Sequence, residues 1–207
     1  MKHHLSLLAL AAAMVLAPAS YAQAQTIIIK AVASGPAESP PNGSPGSSVA
    51  SFEIDGTLMR AEVPFRDLLG TTVAAHIHCC TTEAFTATAP IALPFEDFPT
   101  GLRNGLYSQA FDLTDASIYA PAFLAAFGGT AATAGLALID AINDNTAYLN
   151  IHTTEFAAGE IRGFLVAAPI PEPATWGKLG LGLAGVGLLA RRRARYGGAG
   201  FPIGQAA

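Results

Sequence analysis

The side chains best suited to chemistry in this chain are three histidines and a cysteine. His76, His78 and Cys80 alternate along a predicted strand, so their side chains share one face of it. His152 lies on a later predicted strand, on the face opposite to the apolar Ile151. If the two strands lie close together in a sheet, three imidazoles and one thiolate converge, which is a credible ligand set for Zn or Cu. The pattern raises the hypothesis of a metal site, redox-active if the ion is copper.

The same histidines also have a structural interpretation, which the sequence favours. Imidazoles can hydrogen bond to the carbonyl oxygens of a proline-rich loop and form a polar network without any metal. A general acid or base would need a partner carboxylate beside a pocket. Glu155 and Glu160 are the nearest candidates, but Glu160 is expected to pair with Arg162 or to cap a strand turn. The sequence therefore predicts no catalytic residue and no cofactor, with Cu or Zn binding as the alternative.

Cys79 and Cys80 are adjacent and are the only two cysteines of the sequence. In an oxidising compartment thiols rarely stay free. Three interpretations follow: a vicinal disulfide that stiffens the strand end, metal ligation by Cys80, or bridges between molecules. We favour the vicinal disulfide, although adjacent Cα atoms are about 3.8 Å apart and ordinary disulfides prefer about 5.5 Å.

The segments that must position these residues are mostly short strands. β-branched or alternating runs are separated by turns rich in Gly, Pro and Asp, and Asp55-Gly56 is a strong hairpin signal. This pattern predicts a mainly β protein, an antiparallel sandwich or barrel of about seven strands. Two short alanine-rich helices are expected at 117–127 and 130–143, and a proline-rich loop at 81–104. The predicted strands are 26–32, 49–54, 57–65, 72–80, 105–113, 148–152 and 160–166.

Both ends of the chain have the features of targeting segments. Residues 1–22 combine Lys2, an apolar core and a small-residue cleavage site, which is typical of a secretory signal peptide. Residues 174–190 form a Gly- and Leu-rich apolar stretch, at the lower limit of about 17 residues for a transmembrane helix, and are predicted to be a C-terminal transmembrane helix. Setting both aside leaves residues 23–168, the size of one domain.

The C-terminal segment has three parts in a fixed order. A Pro-Glu-Pro motif lies in residues 169–173, the apolar stretch follows, and residues 191–207 form a basic cluster and a short tail. By the positive-inside rule the arginines stay cytoplasmic, which places the body of the protein outside the inner membrane. This order resembles the PEP-CTERM sorting signal of Gram-negative bacteria, which an exosortase reads. The sorting and processing residues would be Pro171, Glu172, Pro173, Arg191, Arg192 and Arg193.

The charge of the predicted exported domain is strongly negative. Residues 23–168 contain 5 basic and 14 acidic side chains, a formal charge of −9. Nucleic-acid binding needs basic patches or stripes, so this charge argues against it.

Four short segments carry a second resemblance. They are Ala75-His76-Ile77-His78, Asp112-Leu113-Thr114, Tyr148-Leu149-Asn150-Ile151-His152-Thr153 and Gly159-Glu160-Ile161-Arg162-Gly163. With these segments the body of the chain resembles the CHRD domain, a module named after chordin. The resemblance implies an extracellular, β-rich module with no established catalytic activity. The histidine spacing is also similar to the copper site of Cu/Zn superoxide dismutase, by analogy alone, because no bridging histidine and no zinc-binding aspartate is apparent.

Together these patterns predict an exported, non-catalytic interaction module of the cell surface or extracellular matrix. Its partners would be an exosortase-type enzyme, the inner membrane during sorting, and an extracellular polysaccharide or a surface protein. It would pass through an inner-membrane intermediate to the periplasm or the outer surface of a Gram-negative bacterium. The alternative is a secreted Cu- or Zn-binding β domain, and the two hypotheses differ in whether the histidines hold an ion.

Overall fold

The computed structural model describes residues 26–168, 181–189 and 191. Its main feature is a single antiparallel sheet of eight strands, which confirms a mainly β, antiparallel protein. The strands are β1 (Ile27–Ser34), β2 (Ser47–Asp55), β3 (Leu58–Phe65), β4 (Thr72–His78), β5 (Ile91–Pro94), β6 (Gly105–Asp112), β7 (Tyr148–Thr153) and β8 (Ile161–Ala167).

The order of the strands across the sheet is β5-β4-β7-β8-β1-β2-β3-β6, so β4 and β7, which carry the histidines, are neighbours. The β2–β3 hairpin turns at Gly56 and Thr57, between the paired Asp55 and Leu58, and Gly56 has a φ of +60°, a conformation that favours glycine. The sheet curls into a half-barrel. Phe95, just after the edge strand β5, therefore meets Tyr107 and Phe111 of the opposite edge strand, with ring centroids 5.0 and 5.7 Å apart.

The concave face of the curled sheet holds the hydrophobic core. In β1, for example, Ile29 and Ala31 are buried, whereas Lys30 and Val32 between and after them are exposed. Strand β7 differs, because four consecutive residues, Tyr148 to Ile151, are buried. Loops therefore cover the outer face of β7, which is the face that carries His152.

Two helices complete the described core, α1 (Pro121–Ala126) and α2 (Ala131–Asn143). Helix α2 begins at a capping threonine, Thr130, whose hydroxyl accepts a hydrogen bond from the backbone N–H of Thr133. Phe123 of α1 and Leu138 of α2 are buried in the core. Helix α1 is shorter than the predicted 117–127 because Pro121 starts it, and proline favours the first position of a helix.

The sheet differs from the predicted sandwich or barrel of about seven strands in having eight strands in one layer. The additional strand is β5, which lies within the segment 81–104 that its prolines assign to a loop. Proline is tolerated in an edge strand, because the missing N–H is not needed for pairing there. Strand β5 pairs only with β4, which explains how it can end on Pro94.

The predicted targeting segments lie largely outside the described residues. Residues 181–189, within the predicted apolar stretch, form a helix with exposed side chains. In the part of the chain that the structure describes, no helix is both long and apolar enough to span a membrane. The predicted signal peptide, the Pro-Glu-Pro motif, residues 174–180 and most of the basic tail fall outside that part.

Candidate metal centre

Neighbouring strands bring the three histidines to one outer face of the sheet. In the β4–β7 ladder, His76 lies opposite Asn150, and Ala74 lies opposite His152. His78 follows His76 by two residues and so points to the same side of β4. The three imidazoles therefore form one cluster beneath the loops that cover β7.

The imidazole rings surround a small common space. One nitrogen of each ring lies within 4.8 Å of the other two. The ring centroid of His76 lies 5.0 Å from that of His152 and 5.6 Å from that of His78, and the remaining pair is 6.0 Å apart. Zinc and copper hold imidazole nitrogens at about 2.0–2.1 Å, so an ion shared by all three rings requires nitrogen–nitrogen distances of about 3.3–3.6 Å, shorter than the 4.8 Å within which these atoms lie.

In His78 and His152, a hydrogen bond from one ring nitrogen leaves the other ring nitrogen free to face this space. Nδ1–H of His78 donates to the carbonyl oxygen of Ala89 (2.9 Å), and Nδ1–H of His152 donates to that of Ala157 (3.0 Å). Because a carbonyl oxygen only accepts, each neutral ring carries its lone pair on Nε2. Both Nε2 atoms and Nδ1 of His76 are buried and have no hydrogen-bond partner among the described residues. Three nitrogens are thus available to one electron-pair acceptor.

Burial keeps the three imidazoles uncharged. It lowers the pKa of His76 to about 4, and the nearby His152 and His78 contribute to the shift. Burial also lowers the pKa of His78 and that of His152, against the opposing effect of their hydrogen bonds to backbone carbonyls. Neutral imidazole is the form that binds metal ions, so at neutral pH the cluster can bind an ion without releasing protons.

Two further residues of the same face support His78. Its ring is stacked on that of Tyr148, with ring centroids 4.9 Å apart and planes only 2° from parallel. The guanidinium carbon of Arg162 lies over the Tyr148 ring, 4.9 Å from its centroid. This cation–π contact and the stacking hold the ring of Tyr148 in place beside the cluster.

Arg162 also connects two of the covering loops. It is buried, and it donates hydrogen bonds to the carbonyl oxygens of Ala37 (2.8 Å) and Ala87 (2.7 Å). Ala37 lies in the loop 35–46 between β1 and β2, and Ala87 lies in the loop 79–90 between β4 and β5. One side chain therefore fixes both loops over the histidines.

A comparison with protein families matches residues 29–165 to the CHRD domain, which is more than half of the chain. The chain belongs to the CHRD domain family. A second match identifies residues 169–193 as a PEP-CTERM protein-sorting motif. This motif implies export, membrane-associated sorting in Gram-negative bacteria and processing by an exosortase. Comparisons with curated proteins and with solved structures gave no match.

Cys80 does not join the histidines in this CHRD domain. Strand β4 ends at His78, so the alternation of side chains does not continue to residue 80. The sulfur atoms of Cys79 and Cys80 face each other in the arrangement of a vicinal disulfide, and Cys80 packs against the core. The structure therefore brings together the three histidines of the predicted ligand set, without Cys80. A disulfide between Cys79 and Cys80 in the exported protein stays a prediction.

Sequence reasoning missed the groups that orient and border the cluster. The two carbonyl oxygens that bind the histidines belong to alanines in loops, and an alanine side chain gives no sign of such a role. A buried acidic residue, Glu38, also lies beside Asn150, a neighbour of His76 in the CHRD sheet. Its one signal is that it is the only charged residue in the Pro/Gly/Ser segment 34–48.

Glu160 has a different role from the predicted pairing with Arg162. It is fully buried, and Arg162 donates to backbone carbonyls instead. The Glu160 carboxylate accepts hydrogen bonds from the hydroxyls of Ser44 and Thr153 and from the backbone N–H groups of Leu69 and Gly70. Burial alone would raise the pKa of Glu160, but these hydrogen bonds lower it. The residue is a structural anchor of the CHRD fold.

Proposed function

We propose that this exported CHRD domain binds one copper or zinc ion through its three histidines. The ligand atoms are Nδ1 of His76, Nε2 of His78 and Nε2 of His152. The observation that carries the proposal is that these three nitrogens are buried and lack a hydrogen-bond partner among the described residues, on rings that each place one nitrogen within 4.8 Å of the other two. Each buried acceptor without a partner costs about 1–3 kcal/mol, and one bound ion would satisfy all three together.

The donor set favours a borderline transition metal. Imidazole nitrogens suit Zn and Cu, whereas Mg²⁺ and Ca²⁺ prefer oxygen ligands. Among divalent ions the general order of affinities favours Cu²⁺. The hydrogen bonds from Nδ1 of His78 and His152 to backbone carbonyls are the contacts that commonly orient metal-binding histidines. The proposal assigns no catalytic step to the domain.

Metal analysis of the purified protein tests this proposal. After loading with Cu²⁺ or Zn²⁺ and removal of the excess, we expect about one equivalent per chain. His76→Ala and His152→Ala each remove a ligand and should weaken binding at least about tenfold. Gln109→Ala changes an exposed residue of the edge strand β6 and should bind like the wild type. Equal binding by all four proteins, or no retained metal in the wild type, would refute the proposal.

We further propose that the sorting motif delivers the domain to the outer surface or the extracellular matrix. The apolar stretch 174–190 would hold the chain in the inner membrane until an exosortase cuts near the Pro-Glu-Pro motif. Intact mass of the native protein measures the outcome. The wild type should have lost its tail, and Glu172→Ala should keep it. An extracellular wild-type protein that still ends at residue 207 would contradict this route.

A second role, as a non-catalytic interaction module, is supported by an apolar row on the outer face of the sheet. Val32 of β1 and Val49 of β2 are paired and are 67% and 60% exposed. Leu106 of β6, paired with the exposed Pro64 of β3, is 57% exposed. Apolar surface of this kind often marks a contact with another molecule. Val32→Ser with Val49→Ser should lower retention on the cell surface at unchanged metal content, and unchanged retention would count against this role.

A further inference from the structure

A row of exposed apolar side chains crosses four neighbouring strands on the outer face of the sheet. Val32 of β1 pairs with Val49 of β2, and Pro64 of β3 pairs with Leu106 of β6. The register of the β2–β3 ladder places Val49 opposite Pro64, so the row is continuous. All four side chains are exposed, and strands lie about 4.8 Å apart, which makes the row about 14 Å long. We call these four residues the apolar row.

Polar residues flank the apolar row on both sides. On one side the next outward positions are Ser34, Ser47 and Arg66. On the other side they are Lys30, Ser51, Glu62 and Ser108. Within one chain the carboxylate of Glu62 accepts a hydrogen bond from the hydroxyl of Ser108, and Nε of Arg66 donates one to the hydroxyl of Ser47. A serine does not neutralise a charge, so both charges remain available to a partner molecule.

The outer face of β1, β2, β3 and β6 is close to neutral, although the domain as a whole is strongly acidic. Residues 23–168 carry a formal charge of −9. The outward side chains of these strands, with Arg66 just after β3, comprise 3 basic and 4 acidic groups, a formal charge of −1: Lys30, Arg60, Arg66, Glu53, Asp55, Glu62 and Asp112. An acidic molecule is therefore repelled less by this face than by the rest of the domain. A second copy of the same acidic domain is such a molecule.

We propose that two copies of this chain pair through the apolar row, in a symmetric dimer whose twofold axis runs along the row. The inference rests on the interaction role proposed above and names its partner. In this dimer the two sheets pack face to face with their strands nearly aligned. Each side chain of the row meets the same side chain of the second copy, as the symmetry of such an interface requires. The apolar surface that each chain exposes to water is thereby buried.

The charged residues determine the direction of the axis. Glu62 and Arg66 lie on the outer face, two residues before and two residues after Pro64. A rotation about the row exchanges these two positions, so Glu62 of each copy faces Arg66 of the other and two ion pairs form. A twofold axis parallel to the strands, midway between β2 and β3, would instead place Glu62 over Ser51 and leave both charges without a partner. Exposed ion pairs add little affinity, but they fix the orientation of a contact.

The expected dimer is weak, because its contact area is small. The apolar row and the two flanking rows span about 14 Å in each direction, which is well below the roughly 800 Å² per partner of a standard stable interface. We therefore expect mainly dimer at about 100 µM and mainly monomer at about 1 µM. Copies that are retained together on a surface or in a matrix have a high effective concentration, so that weak pairing still joins them.

The test measures the mass of the exported protein in solution by analytical ultracentrifugation. Glu62→Arg sets arginine against arginine in both ion pairs, and Arg66→Glu sets glutamate against glutamate. Each variant alone should dimerise at least about tenfold more weakly than the wild type. An equimolar mixture of the two variants should form a heterodimer of about wild-type affinity, because each contact then joins opposite charges. Asp140→Arg makes the same change of charge on an exposed residue of α2 and should dimerise like the wild type.

Three results would overturn the pairing and leave metal binding intact: a wild type that stays monomeric at about 100 µM, charge variants that dimerise as well as the wild type, or a mixture that stays monomeric. Association through the apolar stretch 174–190 would give the second result, because this stretch is identical in all the proteins. The interaction role is decided separately, by the retention of Val32→Ser with Val49→Ser. If the wild type is monomeric and this variant still loses retention, the pairing is refuted and the apolar row binds a different molecule.

Discussion

At the scale of single residues, Glu160 shows how a buried charge is held without a basic partner among the described residues. Its carboxylate receives hydrogen bonds from two hydroxyl groups and two backbone N–H groups, which lie in three separate segments of the chain. A hydrogen bond to a charged group contributes about 1.5–3 kcal/mol. Glu160 ends the turn whose Ala157 carbonyl orients His152, so it fastens one wall of the candidate metal centre.

Glu160→Gln should therefore destabilise the protein. The four groups around Glu160 all donate hydrogen bonds, and the NH₂ group of a glutamine cannot accept one. We expect the free energy of unfolding to fall by about 2–4 kcal/mol. The lowered pKa of Glu160 means that the carboxylate contributes stability above the ordinary value of 4.5, and this contribution is lost as the pH falls through the lower folded-state value. Urea denaturation at neutral and acidic pH measures both effects. Glu155→Gln is the exposed control, and equal stability of the two variants would contradict the role of Glu160.

At the scale of elements, the segment Gly159-Glu160-Ile161-Arg162-Gly163 is explained position by position. Gly159 has a φ of +128° and lies against Asn150, which excludes a side chain. Ile161 is in the core, and Arg162 fixes two loops. At Gly163 the backbone of β8 approaches that of β1 so closely that a Cβ atom would lie 2.5 Å from the carbonyl oxygen of Val32.

Gly163→Ala tests this close approach. The added methyl group meets backbone atoms rather than the end of a flexible side chain, so β1 and β8 must separate. We expect a loss of about 1–3 kcal/mol in the free energy of unfolding. The matched control is Gly43→Ala, since no atom lies within 4 Å of a Cβ at that position. A similar stability for both variants, measured by urea denaturation, would show that the two strands can move apart at little cost.

The placement of the histidines could be read from the sequence because alternation along a strand is a local property. His76, His78 and His152 each follow the two-residue period of β4 or β7. Cys80 could not be placed in this way, because the period holds only while the strand lasts and β4 ends at His78. Strand β5 forms by pairing with β4, which lies more than ten residues earlier in the chain. The prolines of this segment indicate a loop, so the strand could not be predicted from the sequence. The role of the loop carbonyl oxygens of Ala89 and Ala157 depends on tertiary contacts. Every residue has a backbone carbonyl, so the residue type does not indicate this role.

At the scale of the whole molecule, the loops that cover β7 are the part most open to influence by a metal ion. The loops 35–46 and 79–90 are joined through Arg162, and the turn 154–160 is fastened through Glu160. Two of these segments also hold the proposed ligands, because Ala89 and Ala157 accept the Nδ1–H hydrogens of His78 and His152. An ion at the cluster would therefore tie β4, β7 and two covering segments into one unit.

Saturation with Zn²⁺ should accordingly stabilise the folded protein. An ion that binds only the folded state adds about 2.7 kcal/mol when its concentration is a hundredfold above Kd, which corresponds to a rise of about 5–10 °C in Tm. Hydrogen exchange should slow most in residues 79–90 and 154–160, because their backbone groups orient the ligands. His152→Ala should show neither the rise in Tm nor the slower exchange. If Zn²⁺ stabilises His152→Ala as much as the wild type, the ion binds elsewhere, such as on the acidic surface, and the histidine cluster is not the site.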